Sequence, residues 1–256
     1  MENDQIIYIV TIAIIAIVIA LYYFKNIPEK IPIVVIAYNN LFFVRKFIDQ
    51  LKKYDNPIIL FDNKSTYEPL LEYYKEIKKE LGSKIDIRLM DNNYGSGVYM
   101  TFNHTLPSIF ILSDPDLELN PRMPKNFSEI FLELSNKYQA YKIASALDIS
   151  EPEKLLTCEN YSGNKSIYDW ETQYWKVRVP DDTYELYNAG HPMDTTFCLI
   201  NNNYSKENKI RIAGDFTAKH LPWYKNYIKD NVSEKELEHW KKNNKCSSIL
   251  NGCIKD

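Results

Sequence analysis

The sequence predicts an α/β protein built on a mostly parallel central sheet flanked by helices, with a transmembrane helix in front of it. Three observations lead there. Short apolar runs alternate four times with stretches of helical period. Each run closes in a polar cluster. Residues 6–24 form a 19-residue stretch without a charge.

The uncharged stretch comes first. At ~1.5 Å per residue it spans roughly the ~30 Å hydrocarbon layer of a bilayer. A cleaved leader would have a basic start, a shorter apolar core and a small-residue cleavage site. Here Glu2 and Asp4 precede the span, in the tail 1–5, and Tyr22, Tyr23 and Phe24 close it. A retained single-pass anchor is expected, with Tyr22 and Tyr23 at the interface. Lys25 and Lys30 in the linker 25–30 bias the rest of the chain weakly to the cytoplasmic side. The side of the membrane stays open, because Asn63-Lys64-Ser65 and Asn160-Tyr161-Ser162 arise readily by chance in an Asn-rich chain.

Composition narrows the function classes. Hydrophobic residues make up 45% of the 256, enough for a sizeable core, and the net charge is −3. No long basic run is present, so nucleic acid is excluded as an expected partner. The four cysteines, Cys158, Cys198, Cys246 and Cys253, lack metal-site spacing. Cys246 and Cys253 could bridge or stay as thiols.

Four strand-and-helix units follow. Ile31 to Ala37 is the first strand candidate and ends at Tyr38-Asn39-Asn40. Leu41, Val44, Ile48 and Leu51 mark a helix. Pro57 to Phe61 is the second strand, closed by Asp62-Asn63-Lys64-Ser65, and a helix over 67–81 stops at Gly82. Ile85 to Met90 leads into Asn93-Tyr94-Gly95, and residues 98–104 suit a short helix. Ile109 to Leu112 is the fourth strand, and Pro115 must end it because proline cannot donate to a ladder. Crossovers of this length imply parallel strands with helices on both faces. All four polar clusters then line one sheet edge, where α/β proteins bind ligands.

Asp114 and Asp116 sit at that edge, one residue apart. As a solvated turn, Asp-Pro-Asp is ordinary. At the end of a buried strand the two carboxylates repel each other unless a divalent cation is present. Hard oxygen ligands suit Mg²⁺ or Mn²⁺, ions that also hold substrate phosphates.

Together these motifs resemble the nucleotide-binding half of a GT-A fold glycosyltransferase of the family-2-like kind, over residues 31–120. The resemblance implies a catalytic domain over 31–225, with an acceptor half at 121–225 and a surface helix and tail at 226–256. It implies a nucleotide-diphospho-sugar donor, a UDP-sugar for preference, and a glycan or glycoprotein acceptor. Tyr38, Asp62, Asn93, Gly95 and Asp114 would bind the donor, Asp62 through its nucleoside. Asp116 would ligate Mn²⁺ or Mg²⁺ directly, with Asp114 supporting the metal or the ribose.

The acceptor half carries aromatics at Tyr161, Tyr168, Trp170, Tyr174 and Trp175, as a core-covering layer or as a platform for sugar rings. Asp194, leading into a strand at 195–200, is the candidate catalytic acid residue, with Asp169 and Glu171 as runners-up. Ile212 to Tyr224 resembles a C-terminal segment of some glycosyltransferases. There His220 would return to the metal and Lys219 would offset phosphate charge; alternatively His220 packs under Trp223.

Two other classes remain. A sugar-nucleotide pyrophosphorylase would open with a Gly-rich loop, which Tyr38-Asn39-Asn40-Leu41 is not. An inactive anchored sugar-binding protein would keep the aromatics without needing the metal motif.

Overall fold

The computed structural model describes residues 8, 9, 11–14, 30–158, 165–190, 193 and 196–244. In chain order the elements are β1 (Ile33–Ala37), α1 (Leu41–Leu51), β2 (Ile58–Asp62), α2 (Glu68–Leu81), β3 (Ile85–Leu89), α3 (Val98–Thr101), β4 (Ile109–Ser113), β5 (Leu117–Leu119) and α4 (Phe127–Tyr138). They continue with β6 (Lys142–Ser145), α5 (Ile167–Thr172), β7 (Arg178–Val179), β8 (Leu186–Asn188), β9 (Cys198–Asn201), β10 (Lys209–Ile212), β11 (Ala218–His220), α6 (Tyr227–Asn231) and α7 (Glu234–Asn243).

Nine strands form one sheet in the order β3-β2-β1-β4-β9-β6-β10-β8-β7. The first four are mutually parallel, with Ile33 opposite Ile58 and Ile111. β9 runs against both β4 and β6, and β8 runs against β10 and β7. Seven of the nine strands therefore point one way, as the sequence predicts. β5 and β11 pair antiparallel as a separate ribbon.

Alternation along β1 explains its unbroken apolar run. Ile33, Val35 and Ala37 face one hydrophobic layer and Val34 and Ile36 the other, all of them buried. The first layer is filled from α1, α2 and α4, whose buried residues recur at helical spacing, as with Phe43, Val44, Phe47, Ile48 and Leu51.

On the second face, no long helix is present among the described residues. Val98, Tyr94, Tyr99, Phe102 and Leu106 pack there, from the short α3 and the turns around it. Gly95, Gly97 and Pro107 punctuate this segment too closely for a longer helix.

Three other expectations need comment. Residues 8, 9 and 11–14 are helical and exposed. No helix among the described residues is long and apolar enough to cross a membrane, and most of the stretch 6–24 lies outside them. Cys158 is disulfide-bonded to a cysteine outside the described residues, while Cys198 is a free, buried thiol. Cys246 and Cys253, the other two cysteines of the chain, lie outside the described residues. Finally, the surface helix expected in 226–256 is present as α7. Its buried Glu236 and Trp240 dock it onto the start of α1. Residues 245–256 lie outside the described residues.

Candidate functional site

The carboxyl ends of β1, β2, β3 and β4 open into one cavity of about 740 Å³. Its walls come from Tyr38 and Asn40 after β1, Asn63 after β2, Asn93 to Ser96 after β3, and Asp114 to Asp116 after β4. Trp240, Asn243 and Asn244 close it from the C-terminal side. A second cavity, of about 760 Å³, lies between α1, α6 and α7, and none of the strand-end residues lines it.

Each wall has a local cause. Asn39 takes a left-handed conformation (φ 53°), which asparagine tolerates better than most residues. This turns its side chain under the next loop, where Oδ1 accepts from the N–H groups of Thr66 (2.7 Å) and Tyr67 (3.0 Å). Tyr38 is left facing the cavity, with its hydroxyl donating to the Asn243 carbonyl at 3.2 Å. Asn63 donates from Nδ2 to the Gly95 carbonyl (3.0 Å) and accepts at Oδ1 from Tyr94 N–H (3.2 Å). It thereby fastens the β3 turn to the end of β2. Gly95 at φ +62° and the bond from its N–H to Asn93 Oδ1 (2.9 Å) complete that turn.

Asp62 stands elsewhere. It does not line the cavity, and its carboxylate is 1% exposed. One oxygen accepts from Ser65 N–H (2.7 Å) and the other from the Tyr74 hydroxyl (2.7 Å). Burial, then the adjacent Asp62, push the Tyr74 phenol well above its ordinary range, so it stays a donor. The Asp62 carboxylate, expected at the nucleoside, is thus bonded within the protein. Asp62 holds the β2–α2 loop, and its neighbour Asn63 reaches the cavity.

Pro115 ends β4 and Asp116 begins the link to β5. The β5–β11 ribbon brings the C-terminal segment back: His220 is opposite Leu117, and Leu221 N–H donates to the Asp116 carbonyl at 2.9 Å. His220 Nε2 consequently lies 3.6 Å from Asp116 Oδ2. Asp116 Oδ1 and His220 Nδ1 are buried without hydrogen-bond partners, so the described protein does not lock the pair into one arrangement. The ring also packs on Trp223, at 4.7 Å between centroids, so packing and proximity to Asp116 occur together. A carboxylate facing an imidazole fits two positions in the shell of Mn²⁺ better than of Mg²⁺. The described residues hold no cluster of three ligating side chains, so phosphate and water would have to supply the rest.

Lys219 is one residue away on the same strand, and side chains alternate along a ribbon. Its ammonium lies over the Tyr224 ring (5.7 Å), and neither Lys219 nor His220 is among the residues that line the cavity. Asp194 lies outside the described residues. The strand after it, β9, runs against β4, with Cys198 opposite Leu112, so β9 starts at the edge where β4 ends. The runners-up are placed by their contacts. Asp169 accepts from the Ser166 hydroxyl at 2.7 Å in the cap of α5. Glu171 is buried in an ion pair with Arg211, whose guanidinium stacks on Tyr174 at 4.2 Å.

The aromatic segment divides between two roles. Tyr174 is buried and Trp175 packs on Tyr187, so both belong to the core. Tyr168 is exposed, Trp170 is half-buried beside Tyr174, and Tyr161 lies outside the described residues.

Sequence reasoning put Asn40 and Asn63 in the strand-end clusters without naming them as site residues, and it missed Ser96 and the contribution of α7 to the cavity. The signal for α7 was present. Ser233 and Glu236 have the spacing of a capping box, and Ser233 Oγ does accept from Glu236 N–H (3.3 Å). Trp240 is the single tryptophan in an otherwise charged stretch.

Fold and cavity together define an α/β protein of the GT-A type. No family model and no curated protein matches the chain. Among solved structures it is similar to GalNAc-T7 with UDP, GalNAc and Mn²⁺, at 11% identity and a TM-score of 0.50, over 83% of this chain and 50% of that one. It is also similar to the mannosyltransferase PcManGT from Pyrobaculum calidifontis in complex with GDP-Man and Mn²⁺ (13% identity, 52% of this chain, 44% of that one, TM-score 0.37). A third is S. aureus TarS, residues 1–349 (14% identity, 47% and 36%, TM-score 0.36). The chain spans half or less of the length of each. At 11% identity the likeness to GalNAc-T7 is one of fold alone.

Proposed function

We propose that the protein is a metal-dependent glycosyltransferase that moves a sugar from a nucleotide-diphospho-sugar, a UDP-sugar for preference, to a glycan or glycoprotein. The observation that supports this most is Asp116, which lines the strand-edge cavity of a GT-A sheet and has His220 Nε2 3.6 Å from its carboxylate. Asp116 and His220 would hold Mn²⁺, with Asp114 beside them on the same wall. When bound, the metal would neutralise charge on the leaving diphosphate.

The chain's own residues would do the rest. Tyr38 and the Asn93–Gly95 turn would seat the nucleotide between β1 and β3. In an inverting reaction Asp194 would take the proton of the acceptor hydroxyl, while the anomeric carbon gains oxocarbenium character. Tyr168 and Trp170 are the aromatics left to meet an acceptor. A membrane anchor over 6–24 remains part of the proposal. The disulfide at Cys158 favours an oxidising compartment for the domain, against the weak charge bias of Lys25 and Lys30.

A screen for hydrolysis of nucleotide sugars with Mn²⁺ tests the reading. The wild type should hydrolyse at least one donor. Asp116→Ala should abolish that hydrolysis with unchanged thermal unfolding, because the side chain stands at a strand end outside the core. Activity that persists in the mutant with its metal requirement intact would remove Asp116 from the metal site.

A further inference from the structure

The donor cavity has a wall that strand-edge logic does not supply. Helix α7 reaches it from the far end of the chain and is held on several sides. Glu236 Oε1 accepts from Phe42 N–H (2.8 Å), and Thr66 Oγ1 meets His239 Nε2 (3.1 Å). The Asn243 carbonyl accepts from the Tyr38 hydroxyl, and Trp240 packs on Phe43 at 6.0 Å. This many contacts make α7 a built wall of the cavity.

Two residues on that wall carry polar groups that face no fixed partner for at least one atom. Trp240 is 6% exposed, yet its indole N–H has no hydrogen-bond partner. A buried unpaired donor is costly unless something else completes it. Asn243, three residues on and so on the same helix face, spends its Nδ2 on the His239 carbonyl (2.8 Å). Its Oδ1 is then left to accept. Elsewhere in the cavity the obvious reader of a base is missing: Asp62 is consumed internally, and both ends of the Asn63 amide are bonded to the β3 turn.

We propose that Trp240 and Asn243 read the nucleobase of the donor and select a base whose edge sets a ring N–H beside a carbonyl, as in uracil or guanine. The indole N–H donates to the carbonyl, and Asn243 Oδ1 accepts from the ring N–H. Cytosine and adenine present an unprotonated ring nitrogen beside an amino group, which reverses both partners. This rests on the donor-site reading above and adds to it a specificity set by the C-terminal helix.

The test is calorimetric binding of UDP, GDP, CDP and ADP with Mn²⁺ to the full chain. The wild type should bind UDP or GDP at least 10-fold tighter than CDP and ADP. Trp240→Phe keeps an aromatic ring beside Phe43 while removing the N–H and part of the indole, and Asn243→Leu removes the acceptor. Each should weaken the preferred nucleotide about 10-fold, the size of one lost hydrogen bond, and leave CDP and ADP unchanged. kcat for donor hydrolysis at saturation should hold while KM rises. If the wild type discriminates and both variants discriminate equally well, the assignment to α7 is overturned and the donor site stands. If the wild type binds none of the four, the donor-site reading itself falls. Should a variant unfold, hydrogen exchange on the wild type decides. UDP, or GDP if that binds better, must slow exchange across residues 234–243, and unchanged exchange there overturns the proposal.

Discussion

Glu236 couples the C-terminal helix to the nucleotide-binding half, and its chemistry makes a quantitative prediction. The residue is 4% exposed, and its carboxylate accepts from the N–H of Phe42 in the first turn of α1. Helix starts leave such donors unpaired, and the local cap residue Asn40 makes no side-chain capping bond. Glu236→Ala strips this donor of its partner and should cost about 1–2 kcal/mol. In a chain of this size that lowers Tm by about 2–4 °C per kcal/mol. Glu236→Gln keeps an acceptor and removes a charge. Burial raises the carboxyl pKa above its ordinary 4.5, against the pull of Phe42 N–H and Arg45. The native protein thus holds this proton longer than the unfolded chain, so the stability it contributes is full below pH 4.5 and is lost as pH rises through the raised value. The Gln variant lacks that loss. Its Tm relative to wild type should therefore increase between pH 4 and pH 8, while the Ala variant stays below both. Scanning fluorimetry across this range is sufficient. A Gln variant as unstable as the Ala variant, or a Gln advantage that shrinks as pH rises, would refute the reasoning.

Three further expectations follow from the same structure. Arg211→Met strands the buried Glu171 carboxylate and should cost about 3–5 kcal/mol in urea unfolding, whereas the double variant with Glu171→Leu should regain most of it. His220→Ala should weaken the Mn²⁺ dependence of donor binding far more than binding without metal, by calorimetry with and without chelator; equal losses would leave His220 as a packing partner of Trp223. Deleting residues 1–26 should yield a soluble protein with unchanged donor hydrolysis. Aggregation or loss of fold would make that stretch part of the domain.

Much of the sheet was legible because its code is local. A parallel strand buried on both faces must be apolar throughout, so β1, β2 and β4 stand out as short apolar runs, and Pro115 sets the end of β4 with no help from tertiary structure. The polar clusters at strand ends follow from the same rule, and with parallel strands they must share an edge. That was enough to bring Tyr38, Asn93, Gly95, Asp114 and Asp116 to one cavity.

Side-chain direction at that edge is another matter. Asp62 and Asn63 are adjacent, and only the packing of Tyr74 from α2 and the turn at Gly95 decides which of them faces inward. Lys219 and His220 are likewise adjacent, and the register of the β5–β11 ribbon sends the imidazole toward Asp116 and the ammonium over Tyr224. Helix α7 carries its helical period openly in the sequence, but its target does not appear there. Partners nearly 200 residues apart, such as Glu236 with Phe42 and Asn243 with Tyr38, meet only because the folded sheet brings the start of α1 within reach of the C-terminal helix. Periodicity and chain breakers act between near neighbours and so are written in the sequence. The walls of the cavity depend on long-range packing, which only the tertiary structure decides.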